Sequence, residues 1–367
     1  MRPELLEILQ CPACYHWLEL DAIDESVSTA APLQIEAKLF CRQCSHSFPV
    51  VNSVPIFAVN AEDGSEKFDE ITQENHWTTN ANSVAQHVSY ARRSAQIGEA
   101  AIRKIKRRLK GGNRGKRVLD IGAGWGAFQA WQFARHGFDV VATELVPEFL
   151  LAARPVIEDA FFDRVATDCT VLPFQDESFD VALAKEVAHH LQQPDDLFRE
   201  MWRVVKPGGL IVIQEKCISA YTDVDRKRSN DRATRAGLSH FFYTYQEYRQ
   251  MMRSVCVDIR ADGDIVPLDH MAQPLVATLI NPLLGIYNRL AFSNRVTGDL
   301  ALNLRGGIVR LIGVRKPTCD HDTAAERKIA PIGTSWLSSY AEQAEFYHQE
   351  LVPPVFDVFR QAMSAER

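Results

Sequence analysis

At 367 residues the chain is longer than one ordinary domain and comfortable for two. Hydrophobic residues at 46% and charged residues at 24% match soluble globular averages, which excludes a disordered chain and a bundle of membrane spans. A formal charge of −6 argues against a protein that coats nucleic acid, since affinity for phosphates comes mainly from clustered Lys and Arg.

The first residues carry Glu4 and Glu7 and lack the apolar run of a secretory signal. The best apolar run, 274–287, contains Asn281 and Pro282 and falls short of the roughly 20 residues a span needs, so no transmembrane segment is predicted. Four of the eight cysteines are paired in knuckles, and Cys169, Cys217, Cys256 and Cys319 are scattered singly. That usage suits a reducing, cytoplasmic compartment.

Cys11 and Cys14 form one C-x2-C knuckle and Cys41 and Cys44 another, with 26 residues between them. Two such knuckles on adjoining hairpins complete a tetrahedral four-thiolate site. Structural zinc, an iron site and a redox dithiol pair all fit the pattern, and zinc is favoured. A closed four-cysteine site has no open coordination position, so it should fold the segment and leave catalysis alone. His16 and His46 are expected at the surface, not as ligands, and 21–37 reads as a polar surface loop. "LLEILQCPAC" and "LFCRQCSHSFPVVNSVPIF" together resemble the small zinc-ribbon subunit that activates tRNA, rRNA and release-factor methyltransferases, over roughly residues 4 to 58. Members of that family bind and stabilise a methyltransferase, so the resemblance implies that such a domain follows.

Residues 61–82 are polar and turn-rich, a linker with one short helix. From about 83 to 110 the pattern turns helical, with Ile102, Ile105 and Leu109 on one stripe, until "KGGNRG" breaks it. In "KRVLDIGAGWGAF", Val118, Leu119 and Ile121 predict a short buried strand, and Gly122, Gly124 and Gly126 a turn into the next helix. Glycines there let a nucleotide-like ligand approach the backbone. Gly122-x-Gly124-x-x-Ala127 also fits a dinucleotide fingerprint, and Glu144, 24 residues beyond Asp120, would serve the ribose of either cofactor.

"VATDCTVLPFQDESFDVALAKEVAHHL" and "LFREMWRVVKPGGLIVIQE" decide between them: the stretch from about 117 to 216 closely resembles class I S-adenosylmethionine-dependent methyltransferases. The resemblance implies an α/β fold, a Rossmann-like sheet with helices on both faces. It puts Asp120, Gly122 and Gly124 at the methionine end of the cofactor, Glu144 on the ribose, Asp168 at the adenine amine and the Cys169 N–H at a ring nitrogen. Asp168 also fits a helix-capping or turn carboxylate. In the same family Pro207, Gly208 and Gly209 are architecture.

Methyl transfer needs a base only when the nucleophile arrives protonated. His189 and His190, after the fourth strand of this domain, have the right chemistry for a base, though a His-His-Leu here recurs in the resembling family across very different substrates, which favours a structural role. His240, Phe241, Phe242 and Tyr243 are lid or core residues. An insertion at 267–301, between the last two expected strands, is rich in Leu, Ile and Pro and suggests an apolar wall over the acceptor, an oligomer contact or a membrane-surface helix. The nine basic residues in 103–117 fit a docking face for RNA, lipid or a phosphorylated carrier, or simply a solvated helix face.

The expected organisation is a zinc ribbon at 1–60, a linker and helix at 61–112, a methyltransferase domain at 113–316 and a helical tail at 317–367. The expected cofactors are S-adenosylmethionine and structural zinc. The expected acceptor is a small or carrier-linked metabolite, with RNA or protein methylation as the alternative and a non-catalytic scaffold behind both.

Overall fold

The computed structural model describes residues 1–22, 35–57, 81–109, 111–220, 241–264, 286, 290, 295–318 and 352–364. Of the surface loop expected at 21–37, the ends are strand, Asp21–Ala22 and Ile35–Ala37, and residues 23–34 lie outside the described residues, as do most of the linker, His240, most of the 267–301 insertion and most of the tail. The chain divides into two compact units, Met1–Ala182 with Arg203–Gly209 and Asp322–Arg367, and Leu183–Trp202 with Leu210–His321.

The first unit opens with a short helix, α1 (Pro3–Leu6), and a four-stranded antiparallel ribbon. Its strands β1 (Glu19–Ala22), β2 (Ile35–Phe40), β3 (Ser47–Val51) and β4 (Val54–Pro55) lie in chain order. Each cysteine knuckle is closed by the same pair of backbone bonds. The Cys11 N–H donates to the His16 carbonyl and Tyr15 returns to Cys11, while Cys41 donates to His46 and Ser45 returns to Cys41.

Three parallel strands follow, β5 (Arg117–Ile121), β6 (Asp139–Glu144) and β7 (Asp163–Ala166), and with the start of β8 (Phe179–Lys185) their order is β8-β5-β6-β7. Their interiors are continuous runs such as Val118, Leu119 and Val140–Ala142, buried as expected of parallel strands covered on both faces. Helices α2 (Ala81–Arg108), α3 (Phe128–Arg135), α4 (Pro147–Leu151) and α5 (Arg154–Asp159) belong to this unit. Ile102 and Ile105 bury the predicted stripe of α2.

The ribbon prolongs this sheet. Ile56 bridges Ala166 in parallel, and the Phe57 N–H donates to the Ala166 carbonyl at 2.8 Å. At the other end Gln10 donates to Pro173 at 2.9 Å and Gln175 to Ile8 at 2.8 Å. The segment 166–175 is therefore held at both ends by the ribbon. Arg2 adds side-chain bonds to Asp163 and Asp139.

The C-terminal helix Val352–Ser364 packs on α2 and sets Phe359 on Phe128, ring centroids 4.7 Å apart, and Phe356 edge-on to Trp131 at 5.0 Å. Such pairs contribute about 0.5–1.5 kcal/mol each beyond area burial. Two members of the basic run have structural roles. Lys116 donates to Asp180, joined there by the Arg117 N–H and by Lys206, while the Arg117 guanidinium pairs with Asp139. Burial alone would raise the Asp180 pKa, but these three donors outweigh it and hold the carboxyl below its ordinary range.

In the second unit the order is β11-β12-β9-β8, from β9 (Val205–Ile218, here from Leu210), β11 (Cys256–Asp264) and β12 (Gly307–Arg315). β12 is antiparallel to both neighbours, with Gly307 opposite Cys217 and Val314 opposite Leu210. These are the two last strands read from the sequence. The two-residue β10 (Tyr243–Thr244) lies parallel to the end of β9. Between β8 and β9 runs α6 (Asp195–Val204), which starts in this unit. Helix α7 (Tyr245–Val255) begins with a capping box: the Thr244 hydroxyl accepts from the Glu247 N–H while the Glu247 carboxylate accepts from the Thr244 N–H at 2.7 Å. Helix α8 (Arg295–Arg305) packs on α7 and β11.

Candidate cofactor site and metal centre

Cys11, Cys14, Cys41 and Cys44 bring their sulfurs within 4.8 Å of one another, with Cys11–Cys44 at 3.5 Å and Cys14–Cys41 and Cys14–Cys44 at 3.4 Å. Four thiolates about 2.3 Å from a tetrahedral zinc lie roughly 3.8 Å apart. The donor set and spacing fit zinc with small adjustments. His46, expected at the surface, is half-buried: its Nδ1 lies 3.2 Å from the Cys44 sulfur and its ring stacks on Phe48. It is not one of the four ligands, and its position suits an N–H that supports a ligand thiolate.

At the carboxyl ends of β5, β6 and β7 the fold gathers Asp120, Glu144 and Asp168. Register places Asp120 opposite Ala142 and Glu144 opposite Ala166, and the Thr167 N–H donates to the Glu144 carbonyl. Ligands of open α/β sheets bind at this edge. The Glu144 carboxylate accepts from the Gly124 N–H at 2.9 Å and from the Leu145 and Val146 N–H groups at 2.7 and 3.3 Å. It therefore shapes the glycine loop itself. Gly124 has φ +66°, and a Cβ built there would meet nothing within 4 Å, so the turn requires glycine and its open side is a cradle for a ligand. Asp120 is buried at the strand end. Asp168 accepts from both the N–H and the hydroxyl of Thr170, the turn-carboxylate arrangement, and Cys169 beside it is half-buried.

In the second unit, Ala188–His190 form a 3-10 turn after β8. Glu215, fully buried on β9, accepts the Val187 and Ala188 N–H groups on one oxygen and His189 Nδ1 on the other, each at 2.8 Å. A carboxylate can only accept, so His189 donates from Nδ1 and its ring is fixed in orientation by Glu215. The His190 ring lies 4.2 Å from that of His189. The Phe241 N–H donates to the His189 carbonyl, and the Tyr243 hydroxyl to the Leu191 carbonyl at 2.7 Å.

Residues 119–213 match the family described as methyltransferase domain, and residues 2–53 the family described as Trm112p-like protein. The chain carries a class I S-adenosylmethionine-dependent methyltransferase domain behind a Trm112p-like domain. An uncharacterized methyltransferase of Mycobacterium leprae is 39% identical over 99 residues, 27% of this chain and 36% of the relative, and one of Mycobacterium sp. (strain JLS) is 41% identical over 99 residues, 38% of its length. The chain thus spans little more than a third of these relatives. Among solved structures, phosphoethanolamine N-methyltransferase 2 of Haemonchus contortus with S-adenosyl-L-methionine is similar at 20% identity and TM-score 0.42, over 59% of this chain and 52% of that one. Geranyl diphosphate C-methyltransferase of Streptomyces coelicolor is similar at 15% identity and TM-score 0.43, over 59% and 76%.

Within the methyltransferase domain, the six residues expected at the cofactor fall on the glycine loop and three neighbouring strand ends of the first unit. The two histidines fall on the 3-10 turn of the second. Sequence reading missed Glu215. Its signal was an acid closing the apolar run "LIVIQE", where burial demands donors. It also missed Trp125 of the glycine loop, whose ring meets His87 of α2 at 4.8 Å and Phe128 at 5.4 Å. Only pairing of separate elements reveals that cluster.

Proposed function

We propose that this protein transfers a methyl group from S-adenosylmethionine to a protonated nucleophile of a small or carrier-linked metabolite. The His189–Glu215 pair carries this proposal, because a histidine fixed in orientation by a buried carboxylate is built to take a proton. When bound, the cofactor supplies a methyl group on a positively charged sulfur. Gly122 and Gly124 would line its amino-acid end with Asp120 behind them, Glu144 would offer carboxylate oxygens to the ribose hydroxyls, and Asp168 with the Cys169 N–H would face the adenine. His189 would take the proton of the acceptor as the new bond forms, and Glu215 would stabilise the resulting imidazolium. The zinc ribbon would hold the adenine segment 166–175 through its two sets of backbone bonds.

RNA or protein methylation has less support. Lys116 and Arg117 of the basic run are tied to carboxylates, while Arg103, Arg107 and Arg114 are exposed. The test is label transfer from methyl-labelled S-adenosylmethionine into fractionated cell extract, with and without ribonuclease. Label in a small-molecule or lipid fraction that resists ribonuclease is expected. Label that vanishes with ribonuclease, or that stays with protein, would defeat the metabolite reading.

A further inference from the structure

Helix α7 covers one face of the second unit's sheet, and the strand register fixes what lies under it. Gly313 of β12 pairs with Ile211 of β9, and a Cβ built on Gly313 would lie 3.2 Å from the Met252 side chain of α7. Side chains alternate between faces along a strand, so Val309, Leu311, Ile213 and Glu215 share that covered face. Of these only Glu215 is polar, and it holds the His189 turn. Helix α7 runs back along β9, from Tyr243, which pairs with Cys217, to Cys256, which pairs with Arg315. Tyr248 stands one turn before Met252 on the buried side of this helix. Four helical residues rise about 6 Å, close to two strand residues, which sets Tyr248 at the level of Ile213. A long helical side chain leans toward the N-terminus of its helix, here toward Glu215.

The Tyr248 hydroxyl is buried and has no hydrogen-bond partner among the described residues. Burial, and then the Glu215 charge, push its pKa up, so the phenol keeps its proton. An unpaired buried hydroxyl costs stability that phenylalanine in the same place would not cost, and such groups are rare. The neighbouring Tyr243 shows the ordinary outcome. Its ring meets Tyr248 edge-on at 5.5 Å, and its hydroxyl donates to the Leu191 and Gln192 carbonyls, just past His189, at 2.7 and 3.0 Å. Tyr243 is half-buried, and turning its ring aside is a small motion that opens the way to Tyr248.

We propose that the Tyr248 hydroxyl donates a hydrogen bond to an oxygen of the methyl acceptor held at His189, and so selects acceptors that carry a polar oxygen near the nucleophile. A site built around such a donor discriminates strongly against analogues that lack the matching group. The inference rests on the proposed transfer to a small or carrier-linked acceptor. Tyr248→Phe removes the hydroxyl and keeps the ring. In urea melts of the full chain it should be at least as stable as the wild type, and its S-adenosylhomocysteine affinity should be unchanged. Label transfer from methyl-labelled S-adenosylmethionine into the ribonuclease-resistant small-molecule or lipid fraction of cell extract should fall about tenfold, the worth of one buried hydrogen bond. A Tyr248→Phe protein less stable than the wild type would overturn the proposal, because the hydroxyl would then serve the fold. Equal labelling of that fraction by wild type and variant would also overturn it, while leaving the His189 reading intact. A wild type that labels no such fraction would overturn the underlying reading, and this inference falls with it.

Discussion

The cofactor edge of the first unit and the His189 turn of the second are both built at strand ends, yet they are encoded differently. At the proposed cofactor edge the backbone makes the arrangement: a glycine turn, a carboxylate that holds it, and a segment pinned by the ribbon's main chain. At the His189 turn side chains make the arrangement, and Glu215 reaches it from another strand. Backbone sites leave punctuation in a sequence, because only certain residues adopt the required φ and ψ. Side-chain sites leave residue types whose meaning depends on what the fold brings beside them.

The sharpest way to separate the two regions is to unfold the ribbon. Cys41→Ser should lose the metal and with it most of the ribbon's stability, since structural zinc contributes on the order of 10 kcal/mol in small zinc domains. The adenine segment 166–175 would lose its bonds to Ile8, Gln10 and Phe57. Elemental analysis should show zinc in the wild type and little in the variant, and calorimetry should show weakened S-adenosylhomocysteine binding. Unchanged zinc would refute the ligand assignment, and unchanged affinity would refute the link to the cofactor edge.

The second largest effect belongs to the other region. His189→Ala should reduce methyl transfer by about 10²–10⁴-fold, the usual contribution of a general base, with cofactor affinity nearly unchanged. Glu215→Gln should retain the fold and lose part of the rate, because an amide fixes the ring less well and does not stabilise an imidazolium. Chemical rescue makes the reading specific: added imidazole should restore part of the rate to His189→Ala. A slow variant that imidazole does not rescue would mean a structural histidine.

Much of the fold was legible because periodicity and turn chemistry agree locally. Val118–Ile121 with the glycines after it and the knuckles at 11–14 and 41–44 each occupy one short window. The clamp on 166–175 was not legible, since Ile8, Gln10 and Phe57 act there through main-chain groups that any residue except proline could supply. Nor was the outward face of α8, whose spacing reads as core until the fold shows which side is covered. Lys116 and Arg117 likewise read as part of a charge run until Asp180 and Asp139 arrive from other strands.

A moderate effect tests whether Glu144 is as central as its bonds suggest. Glu144→Ala removes acceptors from three backbone N–H groups as well as from the proposed ribose contact, so S-adenosylhomocysteine binding should weaken by about 1.5–3 kcal/mol in calorimetry. Glu144→Gln keeps one acceptor oxygen and should lose less. If both variants bind as tightly as the wild type, Glu144 does not meet the ribose.

The smallest effect falls one turn away, at Glu148. This residue is buried in α4 and neither carboxyl oxygen has a hydrogen-bond partner. Burial, and then the nearby Glu144 charge, push its pKa up to about 8. In an unfolded chain the same group titrates at about 4.3. Between those values the native state holds a proton that the unfolded state has released, so stability is full below the lower value and falls as pH rises toward the higher one. Glu148→Gln keeps the shape and removes the titration. Its stability should exceed that of the wild type increasingly as pH rises from about 4 to about 8, with the difference vanishing near pH 4, as read by urea melts across that range. Parallel stability profiles for wild type and variant would mean that Glu148 is ionised in the native protein and that the cofactor edge tolerates a second charge beside Glu144.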